Sequence, residues 1–115
     1  MNQEATDQAA MWNGSSGEAW VSGQVMLDAM YAPILETLLG SVPPGADLRV
    51  LDVGCGTGAS SLALAERLGP NGAGKSVDIS APMLALARER AARHLSRATF
   101  VLGDAAQLSF PQPFD

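Results

Sequence analysis

The chain has 115 residues, of which 47% are hydrophobic, and a formal net charge of −5 at pH 7, which fits one small globular domain. Acidic residues outnumber basic ones and no basic stripe is present, which disfavours a nucleic-acid-binding surface. The first residues lack the charged and apolar regions of a secretory signal, and no apolar run is long enough to span a bilayer. A single cysteine excludes an intrachain disulfide and is consistent with a reducing, cytoplasmic location.

Residues 1–45 are predicted to form a helical leader. Residues 1–10 are polar and are expected to be mobile, and residues 11–23 are rich in Gly and Ser. Two tryptophans, Trp12 and Trp20, lie in this second stretch. They either cover a pocket or only attach the leader to the rest of the domain.

The remainder of the leader has helical periodicity. Apolar residues recur at helical spacing over residues 25–38, and Ser22 is a plausible N-cap. Pro33 predicts a kink or a restart, because proline lacks an N–H and its ring crowds the preceding turn. Gly40 and the Pro-Pro-Gly of residues 43–45 predict the end of the helix and a connector.

Residues 46–115 alternate between strand and helix patterns, which favours a parallel α/β sheet. The predicted elements are strand Arg49–Val53, helix Ala59–Leu68, strand Lys75–Ile79, a helix from Ala81 to about Ser96, and strand Thr99–Leu102. Ser80 is the predicted N-cap of the second helix, with Pro82 in its first turn. The arginines of that helix predict a solvated face, and His94 a surface position. The fold class is therefore the first, three-stranded half of a Rossmann-like doubly wound sheet.

A glycine-rich loop follows the first strand. Asp52 ends the apolar run, and Gly54, Gly56 and Gly58 alternate with small residues before a helix begins. Glycines let a backbone turn sharply and let a ligand approach without meeting a Cβ, and the helix N-terminus offers free N–H groups to an anion. With Asp78 twenty residues beyond the loop, at a strand end, the pattern indicates a nucleoside-cofactor site.

The loop sequence V-L-D-V-G-C-G-T-G resembles motif I of the class I S-adenosylmethionine-dependent methyltransferases. The resemblance extends over residues 45–115, through Val77–Ser80 with Pro82–Leu84, Gly103–Ala105, Phe110-Pro111 and Phe114-Asp115. The Trp12–Val21 run is similar to leaders in the branch that includes ubiquinone- and menaquinone-type C-methyltransferases. The resemblance implies S-adenosylmethionine as cofactor and a small-molecule methyl acceptor. We expect no nucleic-acid partner, because of the charge distribution, and no metal site.

The resemblance also implies a role for each site residue. The Gly54–Gly58 loop, in which Cys55 is a small filler rather than a nucleophile, would hold the cofactor's carboxylate. Backbone carbonyls or Asp52, directly or through water, would accept from its ammonium. Asp78 would accept from its ribose hydroxyls. The adenine contacts would come from Ile79, Met83, Asp104 and Ala105. The residue that would deprotonate the acceptor stays unassigned, because such residues usually follow strand four or lie in the leader.

Three alternatives compete with this interpretation. Gly54-x-Gly56-x-x-Ala59 fits a permissive dinucleotide-binding pattern, but Asp52 is poorly placed beside a pyrophosphate. Gly69–Ser76 satisfies the P-loop pattern of nucleotide hydrolases, although it follows a helix and is not followed by one. Lys75 is therefore expected to face solvent near a turn, in a second strand that starts late. The third alternative is a non-catalytic remnant that binds a nucleoside cofactor.

The chain ends at Asp115, just before the fourth strand that the family would supply. We therefore expect little methyl transfer from these 115 residues alone. The edge of the first strand would be exposed, which predicts self-association through that edge.

Overall fold

The computed structural model describes residues 3–115. Its elements in this range are α1 (Gln3–Asn13), α2 (Ser15–Ser22), α3 (Gln24–Leu39), β1 (Arg49–Val53), α4 (Ala59–Arg67), β2 (Ala73–Asp78), α5 (Ala81–Arg93) and β3 (Thr99–Leu102). Within the described range, no helix combines the length and the apolar character that crossing a membrane requires.

The three strands form one parallel sheet in the order β1-β2-β3. The central strand places Val77 beside Val53 on one side and Val101 on the other. Val77 is 1% exposed, and Leu84 and Ala87 of α5 are fully buried, so the core lies where α5 meets the sheet. This arrangement confirms the predicted three-stranded Rossmann-like half, and the predicted bounds of β1 and β3 are correct.

The second strand starts at Ala73, two residues earlier than predicted. Ala73 donates its N–H to the Leu48 carbonyl (2.9 Å), and Gly74 pairs in register with Val50. Backbone pairing needs no side chain, so glycine does not prevent the strand from extending. Lys75 lies inside β2 rather than near a turn, and its ammonium lies 5.6 Å from the centre of the Phe110 ring.

Helix α5 begins as predicted and ends three residues early. The Ser80 hydroxyl accepts from the Met83 N–H (3.3 Å), which confirms the N-cap. The helix ends at Arg93 because Leu95 adopts a left-handed conformation (φ 52°). The Ser96 N–H then reaches the Ala91 carbonyl (2.9 Å), a Schellman-type ending with leucine in the position that glycine usually occupies.

The leader is more helical than its sequence indicated. Residues 3–10, expected to be mobile, form most of α1, while residues 1–2 of that prediction lie outside the described range. The prediction for Ser22 is wrong: it ends α2, and Gly23 precedes α3 without a side-chain cap.

Helix α3 continues through Pro33 without a restart, and the alternative of a kink at this residue stays a prediction. A proline at this position leaves the Ala29 carbonyl without its helical partner. Ala29 is exposed, so water can satisfy that carbonyl. The helix ends at Leu39, followed by Gly40, as predicted.

The leader docks where β2 passes into α5. The Ser80 hydroxyl donates to the Trp12 carbonyl (2.5 Å), and the Asn13 side chain bonds the Ile79 carbonyl and the Ala81 N–H (both 2.8 Å). A Cβ on the buried Gly17 would lie 2.0 Å from the Trp12 carbonyl oxygen, so this close approach requires glycine. The division at residues 45/46 stays a prediction, but these contacts fix the leader beside the site.

Residues 103–115 return the chain to the amino end of β1. The Asp115 N–H donates to the Arg49 carbonyl, and the Arg49 N–H donates to the Asp115 carboxylate (both 2.8 Å). The Arg49 guanidinium lies 5.1 Å from the centre of the Phe114 ring. These contacts occupy the start of the β1 edge opposite β2, while Val53 at its other end is 60% exposed. Self-association through this edge stays a prediction.

Candidate functional site

The three loop glycines between β1 and α4 all have positive φ: 74° at Gly54, 56° at Gly56 and 96° at Gly58. A Cβ on Gly56 would lie 2.8 Å from the Met83 methyl, and one on Gly58 would lie 3.0 Å from Ala87 Cβ. A Cβ on Gly54 would meet nothing within 4 Å. Gly56 and Gly58 therefore let α5 approach the loop, whereas Gly54 leaves open space beside its backbone.

Most N–H groups of this loop are already bonded within the chain. Those of Gly54 and Cys55 donate to the Val77 carbonyl (2.8 and 3.1 Å), and that of Gly58 donates to the Cys55 carbonyl (3.1 Å). The first turn of α4, in contrast, has N–H groups without intrahelical acceptors, at Ala59 and Ser60. An anionic ligand group therefore finds free donors at the start of α4 rather than within the glycines.

Asp78 ties the loop to the end of β2. One carboxylate oxygen accepts from the Gly56 N–H (2.8 Å), and the other accepts from the Ser80 N–H (2.9 Å). A carboxylate offers about four acceptor positions, so two remain for a ligand. Asp78 therefore fixes the loop and can still bind hydroxyl groups.

Asp52 points toward α4. One carboxylate oxygen accepts from the hydroxyls of Ser60 (2.5 Å) and Ser61 (2.9 Å), and Ser76 extends the chain by donating to Ser61 (2.7 Å). Ser60 lines the neighbouring cavity and Asp52 does not. Ser60 therefore connects Asp52 to the cavity.

Cys55 is 7% exposed within the loop. Burial, with the nearby charges of Asp52 and Asp78, raises the pKa of its thiol to about 12. The thiol is therefore neutral near pH 7, which supports its interpretation as a loop filler.

A cavity of about 590 Å³ lies against the loop and the carboxyl ends of the strands. The predicted site residues that line it are Gly54, Cys55, Gly56, Asp78, Ile79, Met83, Asp104 and Ala105, whereas Asp52 and Gly58 do not. Asp104 also caps its own turn, because its carboxylate accepts from the Ala106 N–H (2.9 Å).

The charged side chains that line the cavity are acidic, and one of them, Asp28, forms an ion pair with Arg90 behind the wall (2.7 Å). Among the described residues that line it, the charged side chains are Asp28, Asp78 and Asp104, and none is Lys, Arg or His. Arg90 offsets the charge of Asp28, so the negative charge of the cavity comes from Asp78 and Asp104. These two carboxylates favour a cationic ligand over the pyrophosphate of a dinucleotide or the triphosphate of ATP.

A family model described as a methyltransferase domain matches residues 50–115, which is more than half of the chain. The chain belongs to this family. The predicted resemblance to class I S-adenosylmethionine-dependent methyltransferases is thereby confirmed.

Known relatives show how much of such proteins the domain covers. The chain is similar to nocamycin O-methyltransferase of Saccharothrix syringae, with 43% identity over 82 residues. The match covers 70% of this chain and 29% of that protein. The chain is also similar to demethylmenaquinone methyltransferase of Bacillus cytotoxicus, with 41% identity over 70 residues, 60% of this chain and 29% of that protein. The chain therefore spans about 29% of the length of these relatives.

A solved structure supports the fold. The magnesium protoporphyrin IX methyltransferase of Synechocystis PCC 6803, determined with bound SAM, superposes with a TM-score of 0.63 at 25% identity. The match covers 95% of this chain and 58% of that one. It therefore includes most of the leader as well as the three-stranded sheet.

The leader supplies an aromatic and apolar wall to the methyltransferase domain's cavity. Trp12 and Trp20 meet edge to face, with ring centres 6.1 Å apart, and Trp20 stacks on Tyr31 at 6.2 Å. All three line the cavity together with Leu27 and Leu35 of α3. Both tryptophans therefore line the pocket, and Trp12 also attaches the leader through its carbonyl, which accepts from the Ser80 hydroxyl.

The sequence analysis did not identify Arg90 as a site residue, because it predicted that the arginines of α5 form a solvated face. That prediction fits Arg93, whose side chain is 64% exposed, but not Arg90, which is 16% exposed and turned inward. The signal was present: Met83, Ala87 and Arg90 share one helical face, and the first two meet the glycine loop.

The Gly69–Ser76 pattern does not form a P-loop. Its first residues make the turn after α4, and Ala73–Ser76 belong to β2, so no helix N-terminus follows Lys75. The phosphate-cradling geometry of that motif needs a strand before the loop and a helix behind it. The structure therefore gives no support to nucleotide hydrolysis.

Proposed function

We propose that the methyltransferase domain binds S-adenosylmethionine against the Gly54–Gly58 loop and serves an enzyme that methylates a small molecule. The observation that carries this proposal is the open space at Gly54, in a cavity that Asp78 also lines and that no cation lines among the described residues. A cationic nucleoside with hydroxyls for Asp78 matches this donor and acceptor set.

Each part of the site has a distinct proposed role. The N–H groups of Ala59 and Ser60 at the start of α4 receive the carboxylate. Ser60, whose hydroxyl donates to Asp52, presents its own oxygen to the ammonium. Asp78 accepts from the ribose hydroxyls with its two remaining acceptor positions.

The adenine end of the site is formed by side chains after β2 and β3. Ile79 and Met83 line the cavity as apolar contacts for the ring. Asp104 is proposed to accept from the exocyclic amine, and the Ala105 N–H to donate to a ring nitrogen. When bound, S-adenosylmethionine supplies an electrophilic methyl group, and the protein's contribution is to orient it toward the acceptor.

The acceptor is proposed to be a small organic molecule with an apolar body. Nocamycin O-methyltransferase and demethylmenaquinone methyltransferase are relatives named for small-molecule reactions. The wall formed by Trp20, Tyr31 and Leu35 offers rings and aliphatic groups to such a molecule. We also propose a reducing, cytoplasmic location, because the chain's only cysteine is free.

The test is ligand binding, because the chain spans only part of its relatives' length. Isothermal calorimetry with S-adenosylhomocysteine, with Mg²⁺ and ATP, and with NAD⁺ should show binding of the first alone. Saturable ATP binding that is lost in Lys75→Ala would instead support the P-loop alternative.

A matched pair of glycine variants sharpens this test. Gly54 and Gly45 have nearly equal φ (74° and 77°), and a Cβ at either position meets nothing within 4 Å, but only Gly54 lines the cavity. Gly54→Ala and Gly45→Ala should therefore cause similar backbone strain. Only Gly54→Ala should weaken S-adenosylhomocysteine binding, by roughly tenfold or more. Equal affinities for the two variants would contradict the proposed ligand position.

A further inference from the structure

One arginine connects the glycine loop with the leader. The Arg90 guanidinium donates through one nitrogen to the Thr57 carbonyl (2.9 Å), between Gly56 and Gly58. Through its other terminal nitrogen it bonds the Asp28 carboxylate of α3 (2.7 Å). The side chains of Arg90 and Asp28 are 16% and 27% exposed, so this ion pair is shielded from solvent on most sides.

Both partners of Arg90 belong to the cavity wall. Thr57 is 8% exposed and lines the cavity from the glycine loop, and Asp28 lines it from α3. The Gln24 amide donates to the same Asp28 oxygen (2.6 Å), which fixes the carboxylate on α3. A planar guanidinium can hold two acceptors in fixed relative positions, which a flexible ammonium does much less well.

We propose that Arg90 is a positioning residue that couples the docking of α3 to the shape of the cofactor loop. Movement of α3 away from the cavity would release one side of the guanidinium and loosen its hold on Thr57. A ligand that orders the loop would, by reciprocity, favour the docked leader. This inference rests on the proposed function for its choice of ligand, but the coupling itself exists in the ligand-free protein.

The coupling is measured with single and double variants. Asp28→Asn, Arg90→Lys and their combination are compared by calorimetry with S-adenosylhomocysteine, at a temperature where all remain folded. Asp28→Asn should weaken binding roughly fivefold, the lower end of typical coupling. In the Arg90→Lys background the same change should have little further effect. Equal losses in both backgrounds would show that Asp28 acts on the ligand by itself, and would overturn the proposal.

Hydrogen exchange separates this inference from the proposed function. In ligand-free protein, Asp28→Asn should increase amide exchange in α3 and also at Gly56 and Gly58. Glu89→Gln is the matched control, because it removes the exposed Arg93–Glu89 ion pair on the same helix as Arg90 and should change neither region. Faster exchange in α3 with an unchanged loop would overturn the coupling. Absence of S-adenosylhomocysteine binding to the wild type would count against the proposed function and leave this exchange test to decide the coupling.

Discussion

Asp78→Asn tests whether the carboxylate holds the glycine loop. In the wild type, each carboxylate oxygen accepts from one backbone N–H, that of Gly56 or that of Ser80. Asparagine can replace only one oxygen, and its amide nitrogen then faces the other donor. One charge-assisted hydrogen bond is lost, which costs about 1.5–3 kcal/mol of the free energy of unfolding. That is a large part of the roughly 5–15 kcal/mol that keeps a domain folded.

The assay is urea denaturation followed by tryptophan fluorescence, with binding of S-adenosylhomocysteine measured on the same samples. Asp104→Asn is the control: its carboxylate accepts only the Ala106 N–H among the bonds described, which an asparagine oxygen can also do. The control should stay within about 0.5 kcal/mol of the wild type. Asp78→Asn should also weaken binding roughly tenfold or more. A wild-type free energy of unfolding for Asp78→Asn would refute the assigned role in the loop.

Two further predictions concern stability. Leu95→Gly should raise the free energy of unfolding by about 0.5–1 kcal/mol, because Leu95 is left-handed and 90% exposed, so strain is relieved with little burial lost; a lower urea midpoint would contradict this. Cys55 should react much more slowly with iodoacetamide at pH 8 than the same thiol in urea-unfolded protein, and fast labelling of the native state would contradict its raised pKa. The pKa of this thiol is 9.0 in the unfolded chain and about 12 in the folded protein. Its contribution to the free energy of unfolding is therefore complete below pH 9.0 and is lost as the pH rises toward about 12. Cys55→Ala should reduce this loss of stability at high pH.

The sequence predicted the elements whose signals are local. The bounds of β1 and β3 follow from short apolar runs, and the start of α5 from a serine cap followed by proline. The end of α5 could not be predicted, because it depends on Leu95 in a conformation that leucine rarely adopts. The early start of β2 depends on pairing with β1, which a reading of Gly74-Lys75 alone does not reveal.

The sequence predicted most of the residues that line the site, but not the hydrogen bonds that join them. Gly54, Gly56, Asp78 and the adenine-side residues come together at one cavity because the carboxyl ends of parallel strands share an edge. The attachment of Asp52 to serines of α4, and the bonds of Arg90 to Thr57 and Asp28, depend on tertiary contacts. A charged residue on an amphipathic helix carries no local mark of the partner it will meet from another element.

The Ser80 hydroxyl joins the leader to the sheet domain at one specific junction. It caps α5 and donates to the Trp12 carbonyl. Gly17 packs against both groups, and a Cβ at that position would lie 2.9 Å from the Ser80 hydroxyl oxygen, so a larger residue does not fit there. A chimaera that joined a foreign leader to residues 46–115 would need a small residue and a carbonyl acceptor at matching places. Without them, the hydroxyl would lose one partner and the leader would have to move away from the cavity. An exchange of segments at residues 45/46 therefore has to preserve the contact between Trp12 and Ser80, and both residues lie more than 30 positions from that division.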